Sequence, residues 1–172
     1  MDPIDNYESL LWEMPVEGLR ELLATGLDAS LPDDCGDFLL TVACDRLQVD
    51  SVKLLIERDA PLDSKNAEGD TALLCAINVA HHAEGLACEI VASLLDAGAD
   101  IELRGYMGKT PFLKACSRGC LDVLQLLIAR GCDIHATTPL DFGERDDGWR
   151  LASMFDTSVE FRMYLRQLYG YP

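Results

Sequence analysis

Gly108-Lys109-Thr110-Pro111-Phe112-Leu113-Lys114-Ala115-Cys116, followed by Gly119 and Val123-Leu124-Gln125-Leu126-Leu127-Ile128-Ala129-Arg130-Gly131, returns twice upstream in altered form. The echoes are Gly69-Asp70-Thr71-Ala72-Leu73-Leu74-Cys75-Ala76, leading to Leu94-Leu95-Asp96-Ala97-Gly98, and Gly36-Asp37-Phe38-Leu39-Leu40-Thr41-Val42-Ala43-Cys44, leading to Leu54-Leu55-Ile56. Repetition at a fixed period decides the architecture before any single residue does, because one such unit is too small to fold alone and must stack on its neighbours.

The unit reads as a helical hairpin. Thr110 is a good N-cap, and Pro111 suits the first helical position, where its missing N–H would have had no partner. Phe112, Ala115 and Cys116 form an apolar face at i, i+3 and i+4, with small residues where two helices approach closely. A second helix follows, with an acid in its first turn at Asp50, Glu89 or Asp122, where the helix dipole favours negative charge. Its apolar ridge runs through Val52, Leu55 and Ile56, or through Val123, Leu126 and Leu127. Gly98 and Gly131 end their helices as C-terminal glycines do. Asp59 holds that place in the first full repeat and is expected to take the left-handed conformation itself.

Gly36 and Gly69 are 33 residues apart, and G-x-T-P-L-x-x-A underlies all three copies with modest substitutions. In this the chain resembles the ankyrin-repeat family, clearly over residues 16–135 and more weakly elsewhere. The resemblance implies an all-α repeat solenoid of stacked helix-turn-helix units joined by short β-hairpin fingers at 62–68 and 101–107. One domain over 1–172 is expected: a divergent N-terminal cap over 1–35, core repeats over 36–68, 69–107 and 108–135, and a divergent C-terminal cap over 136–172. In the N-terminal cap, Tyr7 to Trp12 supplies a first helix and Pro15 to Gly26 matches a second. For the last unit, Thr138-Pro139-Leu140-Asp141 is the preferred helix start, with Gly148-Trp149-Arg150-Leu151-Ala152 as the alternative, and Val159 to Leu168 forms a final amphipathic helix.

The second core repeat is six residues longer than the first, around Val79-Ala80-His81-His82-Ala83-Glu84-Gly85. This is either a binding loop or an extension of the helices it joins.

Composition narrows the functional classes. The net charge of −16 disfavours nucleic acid, whose backbone demands Lys and Arg. Residues 1–37 carry ten acids against Arg20 alone. No apolar run is long enough to span a membrane, and the acidic start lacks a signal-peptide pattern. Seven cysteines without a leader fit a reducing cytoplasm. Cys44 and Cys116 share a small buried repeat position, and no second Cys or His pair stands at zinc-ligand spacing, so neither metal nor cofactor is expected. G-x-S-x-G, P-loop and H-E-x-x-H motifs are absent, and a Cys120/His135 dyad has nothing in its spacing to bring it together, so no catalytic residue is assigned.

Function is therefore sought in the surface. The resemblance implies protein binding through the residues beside each repeat glycine and those nine and ten positions on. These are Asp34, Cys35, Asp37, Asp45 and Arg46; then Ala67, Glu68, Asp70, Asn78 and Val79; then Tyr106, Met107, Lys109, Ser117 and Arg118. The set is bipolar: Asp34, Asp37, Asp45, Glu68 and Asp70 oppose Arg46 alone, whereas Tyr106, Met107, Lys109 and Arg118 mix aromatic, adaptable and cationic groups. The acids focus a negative field suited to capturing a basic protein, a toxin or an enzyme. The expected function is a non-enzymatic inhibitor or neutraliser, in architecture similar to small ankyrin inhibitors and to the immunity proteins of bacterial toxin systems. An adaptor joining two proteins is the alternative. The excess of acids predicts a monomer when the protein is free.

Overall fold

The computed structural model describes residues 7–139, 145–155 and 157–171. Five helical hairpins follow one another: α1 (Tyr7–Glu13) with α2 (Val16–Ala24), α3 (Leu39–Asp45) with α4 (Val49–Glu57), α5 (Ala72–Asn78) with α6 (Glu84–Asp96), α7 (Pro111–Arg118) with α8 (Leu121–Ala129), and α9 (Gly148–Met154) with α10 (Val159–Leu168). First helices pack on first helices along the stack, α1 to α3 to α5 to α7 to α9, and second helices on second helices from α2 through α8. The molecule is an all-helical repeat solenoid. One apolar core runs through it, from Leu11 and Leu19 through Leu39, Leu55, Ile77 and Ile90 to Phe112, Leu127 and Phe161, all fully buried.

Local chemistry explains where the helices start. The Thr71 and Thr110 hydroxyls accept from the N–H groups of Leu74 and Leu113, at 3.5 and 3.3 Å. Phe38 stands where a capping hydroxyl is wanted in the first full repeat, and Thr41 makes up for it: its Oγ1 accepts from the Phe38 N–H at 3.2 Å and donates to the Phe38 carbonyl at 2.7 Å. Asp59 closes α4 with φ 56°, the left-handed turn expected of it, where Gly98 and Gly131 close α6 and α8.

Three expectations are corrected or decided. The fingers contain no strands among the described residues, only an isolated antiparallel bridge between Pro32 and Phe38. Each of the first three is instead a tight turn closed by a pair of backbone bonds: Asp33 N–H to Asp37 O with Gly36 N–H to Asp33 O, Asn66 N–H to Asp70 O with Gly69 N–H to Asn66 O, and Gly105 N–H to Lys109 O with Gly108 N–H to Gly105 O. The next helix begins two residues later, which leaves no length for a ladder.

The last unit uses the other register. The Thr138 N–H donates to Asp146 O at 3.0 Å, and its Oγ1 accepts from the Asp146 N–H at 2.9 Å, which ties Thr138 to the approach to α9. Helix α9 starts at Gly148, capped by Asp147. Gly148 is required there because a Cβ would lie 2.8 Å from both Cys116 Sγ and a Phe112 ring carbon, so only glycine lets α9 approach α7. Leu140 and Asp141, the core of the preferred start, lie outside the described residues, as do the acids Asp2 and Asp5. The α10 helix lies where it was expected.

The six extra residues of the second repeat are spent on a 3₁₀ turn, Ala80–His82, and on α6, which has 13 residues where α4 has 9. The extension has a use. Glu84, in the first turn of α6, accepts from the N–H of Asp122 at 2.8 Å and of Val123 at 3.4 Å, and so caps α8 of the next repeat, whose own Cys120 offers no cap.

Candidate protein-binding groove

The first helices and finger turns of the two leading core repeats enclose a cleft of about 340 Å³. Asp37 reaches it from the first finger, Asp45 and Arg46 from the end of α3, Glu68 from the second finger and Asn78 from the end of α5, above a floor that includes Thr41, Val42 and Cys75. Glu8 of α1 joins them. The repeat pattern gave no signal for Glu8, because α1 belongs to a divergent cap whose register carries no repeat glycine. Arg46 is ion-paired to Glu8.

Acids outnumber cations among the residues lining the cleft, and Asp45 is one of them. Burial pushes its carboxyl above the ordinary aspartate range, Arg46 opposes the shift, and Glu68, Glu8 and Asp37 add to it. Asp34 is exposed on the first finger beside this cleft.

Asp70 borders the same cleft, but its carboxylate is held inside the stack rather than offered to a partner as expected. Its side chain is only 3 % exposed, its Oδ2 accepts from Lys114 Nζ at 2.8 Å, and its Oδ1 accepts from the Tyr106 N–H at 2.7 Å. The carboxylate is turned away from solvent into the joint between the second and third core repeats. Gly105 makes room for it, since a Cβ there would fall 2.1 Å from Asp70 Oδ1.

The other half of the groove has different chemistry. Tyr106 and Met107 stand on the third finger with 58 % and 40 % of their surface exposed, and Met107 holds φ 57° at the tip. Lys109 Nζ sits 5.3 Å from the centre of the Phe155 ring. Burial first, then Lys114 and Arg118, lower the pKa of Lys109. Phe155, which follows α9, was not legible as part of this surface, because it lies outside the repeat register and reaches Lys109 only through the packing of α9 on α7. Arg118 is hydrogen-bonded to Asn78 across the repeat boundary. The structure thus brings Asp37, Asp45, Arg46, Glu68 and Asn78 into one cleft, with the buried Asp70 at its edge, and leaves Tyr106, Met107 and Lys109 outside it, on a more apolar surface.

Among the described residues no group of three His, Cys, Asp or Glu side chains is placed to hold a metal ion. Burial raises the Cys88 thiol to about 11 and Cys120 and Cys132 to about 12, which removes the thiolate that reactive cysteines need. No helix among these residues is long and apolar enough to cross a membrane.

A fold of stacked helical hairpins joined by tight fingers defines a helical repeat scaffold. Comparison places it: residues 13–105 match a family model of ankyrin repeats in three copies, and residues 107–136 match a further ankyrin repeat. The chain belongs to the ankyrin-repeat family, a class of protein–protein interaction modules. It is similar to a probable E3 ubiquitin-protein ligase, XBOS32, of Oryza sativa subsp. japonica, at 34 % identity over 50 % of this chain and 14 % of that protein. It is also similar to the B-cell lymphoma 3 protein homolog of Mus musculus, at 28 % identity over 69 % of this chain and 26 % of the relative. Ankyrin repeat domain-containing protein 63 of Mus musculus is 36 % identical over 44 % of this chain and 19 % of its own length. The chain therefore spans about a quarter or less of these relatives.

Proposed function

We propose that this protein is a non-enzymatic, cytoplasmic binding protein that captures a basic segment of a partner protein in the cleft between its first two core repeats and thereby neutralises that partner, as an immunity protein neutralises a toxin. The observation that supports this reading is the convergence of Glu8, Asp37, Asp45 and Glu68 on one cleft, with Arg46 as the cation among its lining residues. Lysine or arginine side chains entering it offset the repulsion that Glu68, Glu8 and Asp37 add to the burial of Asp45. Tyr106 and Met107, on the third finger, supply apolar anchorage beyond the charged region.

The test uses a synthetic lysine-rich peptide as probe and the captured native partner as confirmation. Asp34, Asp37, Asp45 and Glu68, all changed to lysine, should slow association about tenfold or more and flatten its salt dependence. Unchanged rates would move the interface elsewhere. Loss of the partner's activity in the complex supports neutralisation.

An adaptor role is the second reading. It is favoured by the relatives, in which the matched repeats make up a small share of much longer proteins. A partner fully active in the complex would decide for it.

A further inference from the structure

Beside the acidic cleft the surface changes sign. Two residues that line the cleft also mark its edge: Asp70 accepts from the Tyr106 N–H, and Asn78 accepts from Arg118. Beyond that edge stand Lys109, on the third finger, and Arg118, at the end of α7, neither of them ion-paired with an acid among the described residues. Burial, then the charges of Lys114 and Arg118, disfavour the Lys109 ammonium, and the two acids that offset them, Asp146 and Asp70, are already paired with Arg150 and Lys114. An anion arriving here would meet two cations and relieve their repulsion. Apolar groups frame the site: Tyr106 and Met107 are exposed, and the half-exposed Phe155 ring lies against Lys109 Nζ. The finger that carries them is held at several points. Besides its own turn bonds, Arg104 Nη1 donates to Gly108 O at 2.6 Å and to Thr137 O at 2.9 Å, so these groups are positioned before a ligand arrives.

We infer that the partner's segment is bipartite: a basic stretch fills the cleft, and about four residues away along an extended chain an acidic side chain reaches Lys109 and Arg118, with an apolar side chain beside it on Tyr106 and Phe155. This rests on the proposed capture of a basic segment and adds the chemistry of what adjoins that segment. The order of the stack sets the spacing. Helices α3, α5 and α7 pack in succession, and packed helices lie ~8–10 Å apart. The cleft lies between the first two of these repeats, so the third is about one and a half spacings from its centre, roughly 12–15 Å. An extended chain rises ~3.3 Å per residue and covers that distance in about four residues, with side chains two apart on the same face. Net charge alone points the other way: a protein at −16 should prefer the most basic peptide offered to it. The cations beyond the cleft reverse that preference at one position of the segment.

Fluorescence anisotropy of labelled peptides with the full chain, at about 0.15 M salt, tests this. The probe is a lysine block, a Gly/Ser spacer of about four residues and Leu-Ser-Glu, made in both chain directions. It is compared with the lysine block alone and with the same peptide carrying lysine in place of its glutamate. In the favoured direction the bipartite peptide should bind at least about tenfold tighter than its all-basic version, although the latter is the more positive. Lys109→Gln should reduce that preference and Lys109→Glu should reverse it, in variants whose thermal melting shows them folded; Arg118→Glu, at an exposed position, should weaken the preference as well. The lysine block alone reads the cleft, and Asp37→Lys with Asp45→Lys should weaken its binding. Equal or tighter binding of the all-basic version, or a preference indifferent to both Lys109→Glu and Arg118→Glu, would overturn the inference and leave the basic-segment reading standing. A lysine block that does not bind at all would remove both.

Discussion

Asp37 and Asp70 each follow a repeat glycine, in Gly36-Asp37 and Gly69-Asp70, and both border the cleft, but their carboxylates meet different partners. Asp37 lines the open cleft, and its contact with the next finger is a long one, 3.4 Å from the Ala67 N–H. Asp70 accepts from the corresponding N–H of Tyr106 at 2.7 Å and is paired with a buried lysine. The cause lies in the following repeat. Lys114 stands six residues after its glycine, where the second repeat has Cys75, and Gly105 stands three before, where the second repeat has Asn66. Asn66 closes its own turn by accepting from Glu68 and Asp70. Gly105 has no side chain to do so, and the carboxylate of Asp70 enters the space instead. One residue type at one repeat position is thus a surface acid in one unit and an internal tie in the next.

The largest effect should come from breaking the tie. Lys114→Ala leaves Asp70 buried without its cation and should cost about 3–5 kcal/mol in denaturant unfolding, whereas Asp37→Ala should cost under about 1 kcal/mol. Replacing both members, as Asp70→Leu with Lys114→Met, should recover much of the loss, because a buried ion pair contributes little over a well-packed apolar pair. Equal costs for Lys114→Ala and Asp37→Ala would erase the contrast between the two joints.

Next in size is Gly105→Ala. Its methyl group collides with Asp70 Oδ1 and with Leu74 Cδ1, at 2.1 and 2.4 Å, and should destabilise by about 1–3 kcal/mol. The same variant in an Asp70→Gly background should cost less, a coupling that a double-mutant cycle measures directly. Additive costs would mean that the carboxylate is not what Gly105 accommodates.

Tyr106→Ala sharpens the comparison from the binding side. The exposed ring should give up about 2 kcal/mol of partner affinity, read by calorimetry, with little change in melting temperature. A large loss of fold stability instead would make the third finger part of the internal tie.

The smallest effect belongs to Asp45. Its folded pKa lies above the ordinary 3.8, so the fold favours its protonated form, and ionisation costs stability as pH rises through the folded value. Asp45→Asn should therefore stabilise slightly at neutral pH, by up to about 0.5 kcal/mol, and the gain should vanish on acidification below 3.8. A gain that persists in acid would show that charge is not its source.

Much of this was legible from residues alone. Thr110-Pro111 and the capping glycines placed the core helices, and Asp59 was recognisable as the substitute for a glycine. The register of the last unit was not, because Thr138-Pro139 has the chemistry of a helix start as well as of a finger; the close fit of Gly148 against Phe112 and Cys116 is a contact between units that no local signal expresses. The acids of the cleft were found by repeat position. Glu8, from the divergent cap, and Phe155, after α9, carry no repeat register and came into view only with the fold.

Period, capping residues and apolar spacing are properties of neighbouring residues along the chain, and they determined the solenoid and the positions that line its groove. The tertiary structure decided which of those positions meet solvent. Asp70 lies 44 residues from Lys114 in the chain, and its burial depends on what the adjoining unit presents across the joint, a pairing that exists only once the units have stacked.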